Sequence, residues 1–256
     1  MADYIEGKRP IVEALRTHVP MKCILMADNV QRDSLINDIL RKAKKYDVPV
    51  KSISRKKLDE ISERGSHQGV MAETKPFDYV NVTTILEAAE KSAAEHDGRA
   101  LIVVLDHLTD AGNLGAIARS AESVGACGII IPNKRAAHVT AATYKSSAGA
   151  IAHIPVSQVA NISTCLDRLK KEGFWVAAAT EHAQEYVWDA NLKGRIVLAM
   201  GNEGEGVSRL VLESCDFGVK LPQVGDISSL NVAQASTACM YEWLRQNRTA
   251  AEGLRG

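Results

Sequence analysis

No stretch of this 256-residue chain approaches the roughly 20 consecutive apolar residues that a helix needs to cross a bilayer. The opening segment, MADYIEGKRP, lacks the apolar core of a secretory signal. Both absences point to a soluble, cytosolic protein. The five cysteines, Cys23, Cys127, Cys165, Cys215 and Cys239, are scattered, odd in number and never form a C-x-x-C pair, which argues against disulfides and structural zinc. The seven histidines, among them His67, His107 and His182, show no ligand spacing, so no metal is expected. Net charge is absent too, 31 Lys and Arg against 31 Asp and Glu, but its distribution is uneven. Residues 1–75 hold 15 basic and 11 acidic residues, and the remainder holds 16 and 20. The stretches RKAKKYD and SRKKLDE concentrate the positive charge. Such clusters serve either as solvated helix faces or as nucleic-acid surfaces that displace counterions from phosphates, and charge alone leaves both open.

What is present is an alternation of helical and extended patterns. In the first part, RPIVEALRT reads as helix, KCILMA as strand, DSLINDILRKAKKYD as helix capped by Asp33 or Ser34, VPVKSIS as strand, RKKLDEISE as helix capped by Ser54, and GVMAE as a short strand. Together they make a small α/β unit over residues 1–75. KPFDYVNV reads as a linker into the helix TILEAAEKSAAEH, and the two fill residues 76–98. From residue 99 to 256, short Val- and Ile-rich runs alternate with helices: ALIVVLD, GIIIP, IAHIPV, FWVAAAT, RIVLAM and FGVKLP. Runs of that length, apolar on both faces, indicate a mostly parallel sheet covered by helices on both sides. In such sheets ligands collect at the carboxyl ends of the strands, so the loops that follow them carry the functional question.

Three of those loops stand out. In VVLDHLTDAGNLGAIARSAESVG a strand ends near Asp106, Asn113 is placed to cap a helix, and Leu114, Ile117, Ala118, Ala121 and Val124 form its apolar stripe. Gly125 stops that helix, and Arg119 projects away from the stripe. Gly112 and Gly115 do not complete G-x-G-x-x-G, so dinucleotide binding is poorly supported. In RIVLAMGNEGEGVSRLVLESC the glycine loop lacks the G-K-[ST] ending of a triphosphate loop and carries Glu203 and Glu205, which oppose a polyanion. It suits a polar or cationic small molecule, or no ligand at all, with Ser208 capping the next helix. In LPQVGDISSLNVAQASTACMYEWLRQ a strand ends at Leu221 and Pro222. Ser229 is expected to begin a long helix that buries Val232, Ala235, Ala238, Cys239 and Trp243, with Asn231 in its first turn. Read singly, Ser229 is more compatible with a mere cap than with a functional role, and Asn231 with simple solvent exposure.

Taken together, the loops resemble the signature motifs of the SpoU-type RNA ribose 2′-O-methyltransferases of the SPOUT superfamily. DHLTDAGNLGAIARSA is similar to the first motif, AMGNEGEGVS to the second and LPQVGDISSLNVAQASTA to the third, in family order. IEGKRPIVEALR and HQGVMAETKP resemble the start and end of the small substrate-binding domain fused to rRNA-modifying members, so nearly the whole chain is covered. Ala111 stands where the first motif usually has proline, and NVAQA after Leu230 is a variation among small residues.

The resemblance implies an α/β fold whose C-terminal part is a deep trefoil knot with a mostly parallel sheet, preceded by a small α/β ribosomal-protein-like domain. It implies S-adenosyl-L-methionine as cofactor, a homodimer formed through the knotted domain, and rRNA as partner. Met200, Gly201, Asn202, Leu221, Leu230 and Thr180 are the implied cofactor residues. Arg119 is implied at the reacting ribose and its phosphate, where its cationic guanidinium is a poor proton acceptor but a good anchor. Asn113, Glu203, Ser229 and Asn231 are implied to orient Arg119, the ribose and the loops. Lys8, Arg9, Lys56 and Lys57 are the expected phosphate contacts of the first domain. Subfamily similarity points to a guanosine of 23S rRNA. The competing readings are a tRNA ribose methyltransferase, an RNA-binding module without strong activity, and a non-knotted dehydrogenase.

Overall fold

The computed structural model describes residues 4–62, 65–226 and 229–248. Its first sheet has four strands, β1 (Tyr4–Glu6), β2 (Met21–Ala27), β3 (Val50–Ile53) and β4 (Val70–Thr74), in the order β1-β4-β2-β3. β4 runs antiparallel to both neighbours, and β3 runs parallel to β2. Helices α1 (Lys8–Arg16) and α2 (Ser34–Lys45) cover one face and α3 (Arg55–Ile61) the other. Side-chain alternation along β2 explains this division. Ile24 and Met26 pack with Ile11, Ile36 and Ile39, whereas Cys23, Leu25 and Ala27 pack with Leu58. Asp33, not Ser34, caps α2, its Oδ1 accepting the Ile36 N–H at 2.9 Å. Ser54 caps α3 as the sequence indicates.

The second sheet has seven strands: β5 (Ala100–Leu105), β6 (Gly128–Pro132), β7 (Val156–Val159), β8 (Trp175–Ala179), β9 (Glu185–Tyr186), β10 (Arg195–Met200) and β11 (Phe217–Lys220). They lie in the order β7-β6-β5-β10-β8-β11-β9, and every ladder between them is parallel. β5 is buried on both faces, with Leu101, Val103 and Leu105 in one apolar cluster and Ile102 and Val104 in another. Helices α4 (Val82–Glu95), α7 (Ile162–Lys171) and α8 (Arg209–Glu213) contribute to the second of these clusters. Helices α5 (Ala111–Ser123), α6 (Ala141–Ser146) and α9 (Val232–Asn247) contribute to the first. That first cluster runs on into the α1/α2 face of the small sheet, where α1 meets α6.

The stripe of α5 is buried as its periodicity predicts. Gly115 sits where α5 and α6 come closest: a Cβ there would lie 2.0 Å from Ser146 Oγ and 2.5 Å from the Thr143 carbonyl. Other expectations need correcting. IAHIPV is not a strand, because Gly149 (φ 92°) turns the chain into a 3-10 turn at Ala150–Ala152 and β7 begins only at Val156. The linker is pinned along this edge, with the Val80 N–H donating to the Val156 carbonyl at 2.9 Å. The short strands β1 and β9 and helix α6 have no counterpart in the periodicity, being too brief to register. Ala238 faces solvent on α9 and Ala235 is half-buried, while Ala233, Ser236 and Met240 are buried with Val232, Cys239 and Trp243.

Candidate active site

Because the large sheet is parallel, the loops after β5, β8, β10 and β11 leave from the same edge. The first begins with Asp106, a carboxylate directly following the apolar strand and only 1 % exposed. Burial of such a group requires partners. Its Oδ2 accepts the Ser208 N–H at 2.7 Å and its Oδ1 accepts from His107 Nδ1 at 2.5 Å. Asp106 therefore ties the end of the β10 loop to the end of β5. The sequence marks Asp106 only as the end of a strand and His107 only as a histidine without ligand spacing; a lone carboxylate ending a fully apolar strand was the available signal.

Asn113 does not cap α5. Asp110 does, its Oδ1 accepting the Asn113 N–H at 2.6 Å. Asn113 thus lies in the first turn with its side chain released to reach across the edge. Its Nδ2 donates to Glu203 Oε1 in the β10 loop, and its Oδ1 accepts from Asn231 Nδ2 at 3.1 Å. Ser229 does not begin α9 either. Asn231 is the cap, its Oδ1 accepting the Ala233 N–H at 2.9 Å. A continuous chain Asn231–Asn113–Glu203 hence joins all three signature loops, linking residues 90 and 118 positions apart.

The β10 loop folds on itself. Asn202 Oδ1 accepts the N–H groups of Gly204 and Glu205, each at 2.8 Å, and the Asn202 and Gly206 backbones pair with each other. At Gly201 a Cβ would lie 1.8 Å from the Gly206 carbonyl carbon, so this closure admits no side chain.

Two clefts open at this edge. The smaller, about 130 Å³, is lined by Thr180 from the end of β8, Met200 from β10, Leu221 from β11, and Ser229, Leu230 and Cys239 on the approach to and within α9. Four of the six expected cofactor residues thus meet in one place. Gly201 and Asn202 follow directly in the chain, and Asn202 lines the wider cleft instead. Burial pushes the Cys239 thiol up to about 12, with the Glu242 charge adding to the effect. It therefore stays protonated near neutral pH and is no nucleophile. Ser229 makes no hydrogen bond among the described residues. The wider cleft, about 550 Å³, has His107, Thr109 and Arg135 on one side and the residues Asn202 to Glu205 on the other.

Arg119 is exposed on α5 and lines neither cleft, and its guanidinium has no partner among the described residues. The structure does not bring it into hydrogen-bonding contact with Asn113, Glu203, Ser229 or Asn231. On the small sheet, Arg9, Lys56 and Lys57 are exposed, but Lys8 is only 14 % exposed and its Nζ is paired with Asp33 at 2.8 Å. Among the described residues there is no metal-binding group of His, Cys, Asp or Glu, and no helix long and apolar enough to cross a membrane.

Comparison with known proteins agrees with the parallel α/β architecture. Residues 100–241 match the SpoU rRNA Methylase family, and residues 4–80 match the RNA 2′-O ribose methyltransferase substrate binding family. YacO of Bacillus subtilis, named as a TrmH family tRNA/rRNA methyltransferase, is 36% identical over 98% of this chain and 98% of its own. The crystal structure of the SpoU methyltransferase AviRb from Streptomyces viridochromogenes with AdoMet aligns with a TM-score of 0.69 at 27% identity, covering 96% of this chain and 90% of that one. The A. aeolicus TrmH/SpoU tRNA modifying enzyme aligns with a TM-score of 0.52 at 26% identity, covering 63% of this chain and 84% of its own.

Proposed function

The chain belongs to the SpoU family of RNA methylases, and from that premise we propose that it methylates the ribose 2′-hydroxyl of a guanosine in 23S rRNA. The activity class follows from the family: S-adenosyl-L-methionine-dependent methyl transfer to RNA ribose. The choice of ribosomal RNA is supported by the substrate-binding match at residues 4–80. We assign residues 1–75 to RNA binding, 76–98 to the linker and leading helix, and 99–256 to a trefoil-knotted methyltransferase unit that pairs with a second copy and works in the cytoplasm.

The residues present fit the cofactor. Thr180, Met200, Leu221 and Leu230 surround the smaller cleft, and the glycine at 201 keeps the loop beside it closed. When bound there, S-adenosyl-L-methionine supplies an electrophilic methyl group on a sulfonium. Among the described residues Lys220 is the one cationic side chain lining that cleft, its ammonium 5.1 Å from the Tyr186 ring centroid, and Glu181 lines the cleft as well. A wall that carries the Glu181 carboxylate, with Lys220 directed toward an aromatic ring, suits a positively charged donor better than a phosphate.

The observation that carries the reading is the chain Asn231–Asn113–Glu203. A 2′-hydroxyl is a weak nucleophile, and holding it in line with the methyl group supplies much of the rate. Glu203, oriented by Asn113, is available to accept a hydrogen bond from a ribose hydroxyl. Asn113 in turn is held by Asn231, so the three loops keep one geometry. Arg119 anchors the neighbouring phosphate and stabilises charge developing on the ribose oxygen. Arg9, Lys56 and Lys57 hold more distant phosphates, with Lys8 occupied by Asp33.

Tritiated-methyl transfer to large-subunit rRNA tests the proposal. Arg119→Ala is expected to abolish transfer while leaving cofactor affinity within about three-fold, because an anchoring contact acts on RNA alone. Undiminished turnover by that variant removes Arg119 from the mechanism. Label incorporated into tRNA and not into rRNA reassigns the substrate.

A further inference from the structure

Of the wider cleft only the Glu203 side has a role in the account so far, and the wall facing it carries Arg135. Arg135 stands on the side of His107 and Thr109, facing the loop that holds Glu203 and Glu205. At about 550 Å³ it falls within the roughly 300–1,000 Å³ typical of small-ligand sites. Arg135 adopts φ 54°, a left-handed conformation uncommon outside Gly, Asn and Asp. The bend that imposes it is held by the Ala137 N–H, which donates to the Leu108 carbonyl at 2.6 Å. Leu108 belongs to the same turn as His107 and Thr109, so one hydrogen bond fixes both parts of that wall. Asp106 anchors that turn from beneath through His107 Nδ1. Arg135 itself is exposed and has no ion pair among the described residues, although two carboxylates line the same cleft.

Resting on the RNA methyltransferase reading, we propose that this cleft seats a phosphodiester of the RNA strand beside the reacting ribose, with Arg135 as its cation. This contact is separate from the phosphate assigned to Arg119. A guanidinium fork matches two phosphate oxygens in a way that a point charge does not. The carboxylates opposite repel phosphate and attract hydroxyl and amino groups, so the cleft orients the strand. Its backbone lies against His107, Thr109 and Arg135, and its sugar and base groups face Glu203 and Glu205. Arg135 is thus a positioning residue that acts on RNA affinity.

Arg135→Asn removes the charge while tolerating the left-handed backbone, and Arg135→Lys keeps a charge without the fork. Both are compared with wild type for thermal melting, for tritiated-methyl transfer to a large-subunit rRNA transcript, and for filter retention of that transcript at stepped KCl. For Arg135→Asn, KM for RNA is expected to rise about tenfold, the scale of one hydrogen bond to a charged group. Its kcat and S-adenosyl-L-methionine affinity stay unchanged. The slope of log affinity against log salt should fall by about one phosphate contact, and Arg135→Lys should recover most of that slope. A folded Arg135→Asn variant with wild-type KM and salt slope overturns the inference. Retention needs no turnover, so a wild-type protein that transfers no methyl group overturns the enzymatic reading instead, and the slope still decides the role of Arg135.

Discussion

In the four-stranded unit, most of the paired charges on the helices lie within a single turn, Arg16 with Glu13 and Arg41 and Lys42 with Asp38, although Lys8 reaches across to Asp33. At the carboxyl edge of the seven-stranded sheet, polar side chains reach across the chain instead. Asn113 bonds Glu203 and Asn231, Asp106 bonds the Ser208 N–H, and Ser120 bonds Thr237 at 2.7 Å. Short-range pairs stabilise a helix by a few tenths of a kcal/mol and can be lost without moving anything else. Long-range bonds between loops instead determine where three separate segments sit relative to one another. Substitutions at the sheet edge should therefore abolish chemistry, and those on the helices of the small unit should shift stability slightly.

The largest effect is expected at Gly201. Alanine there places a methyl group inside the Gly206 backbone, and the β10 loop must open. Calorimetry should detect no S-adenosyl-L-methionine binding by Gly201→Ala, and affinity near wild type would mean that the closed loop is dispensable. Next comes Asn113→Ala, which cuts both bonds of the bridge while leaving the Asp110 cap intact. It should lower kcat by about a hundredfold, as misplaced reacting groups do, with little change in melting temperature. Asn231→Ala combined with it should cost much less than the sum of the two in free energy, because both remove the same link. Additive losses would show that the bridge does not act as a unit.

A smaller, structural effect is expected at Asp106. Alanine leaves the Ser208 N–H without its acceptor, which costs about 1–3 kcal/mol when such a group is buried and is measurable by urea unfolding. The smallest effect is at Asp38, where side-chain hydrogen bonds from Lys42 and Arg41 hold the carboxyl below its usual range. The ion pair's contribution is complete above the ordinary aspartate range and is lost as pH falls through the lowered folded value. Asp38→Asn should therefore flatten the acid limb of the melting profile and leave methyl transfer unaltered. A change in kcat would contradict the division between the two regions.

The same contrast explains what was legible in the sequence. An unbroken apolar run exposed β5, and spacing of three or four residues exposed the α5 stripe and the helices of the small unit, because burial there depends on residues close in the chain. It misplaced both caps at the site, since Asn113 and Asn231 are local capping residues by type, and only the fold shows that Asp110 frees the first while the second holds it. Asp106 and Arg135 were missed for a related reason. Their significance comes from Ser208 and from Leu108 and Ala137, contacts that no short window contains. Thr180, Leu221 and Leu230 were proposed only through the resemblance of the loops, as nothing in the residues beside them in the sequence points to a ligand.

The central claim is that the ends of β8, β10 and β11 form the donor site, with the Asn231–Asn113–Glu203 bridge beside it. A crystal structure of the protein with S-adenosyl-L-methionine tests this most directly. The account predicts the adenosine between Thr180, Leu221 and Leu230, with the methyl group turned toward Asn113 and Glu203. A donor bound outside that cleft, or one bound there with its methyl group directed away from the bridge, would contradict it.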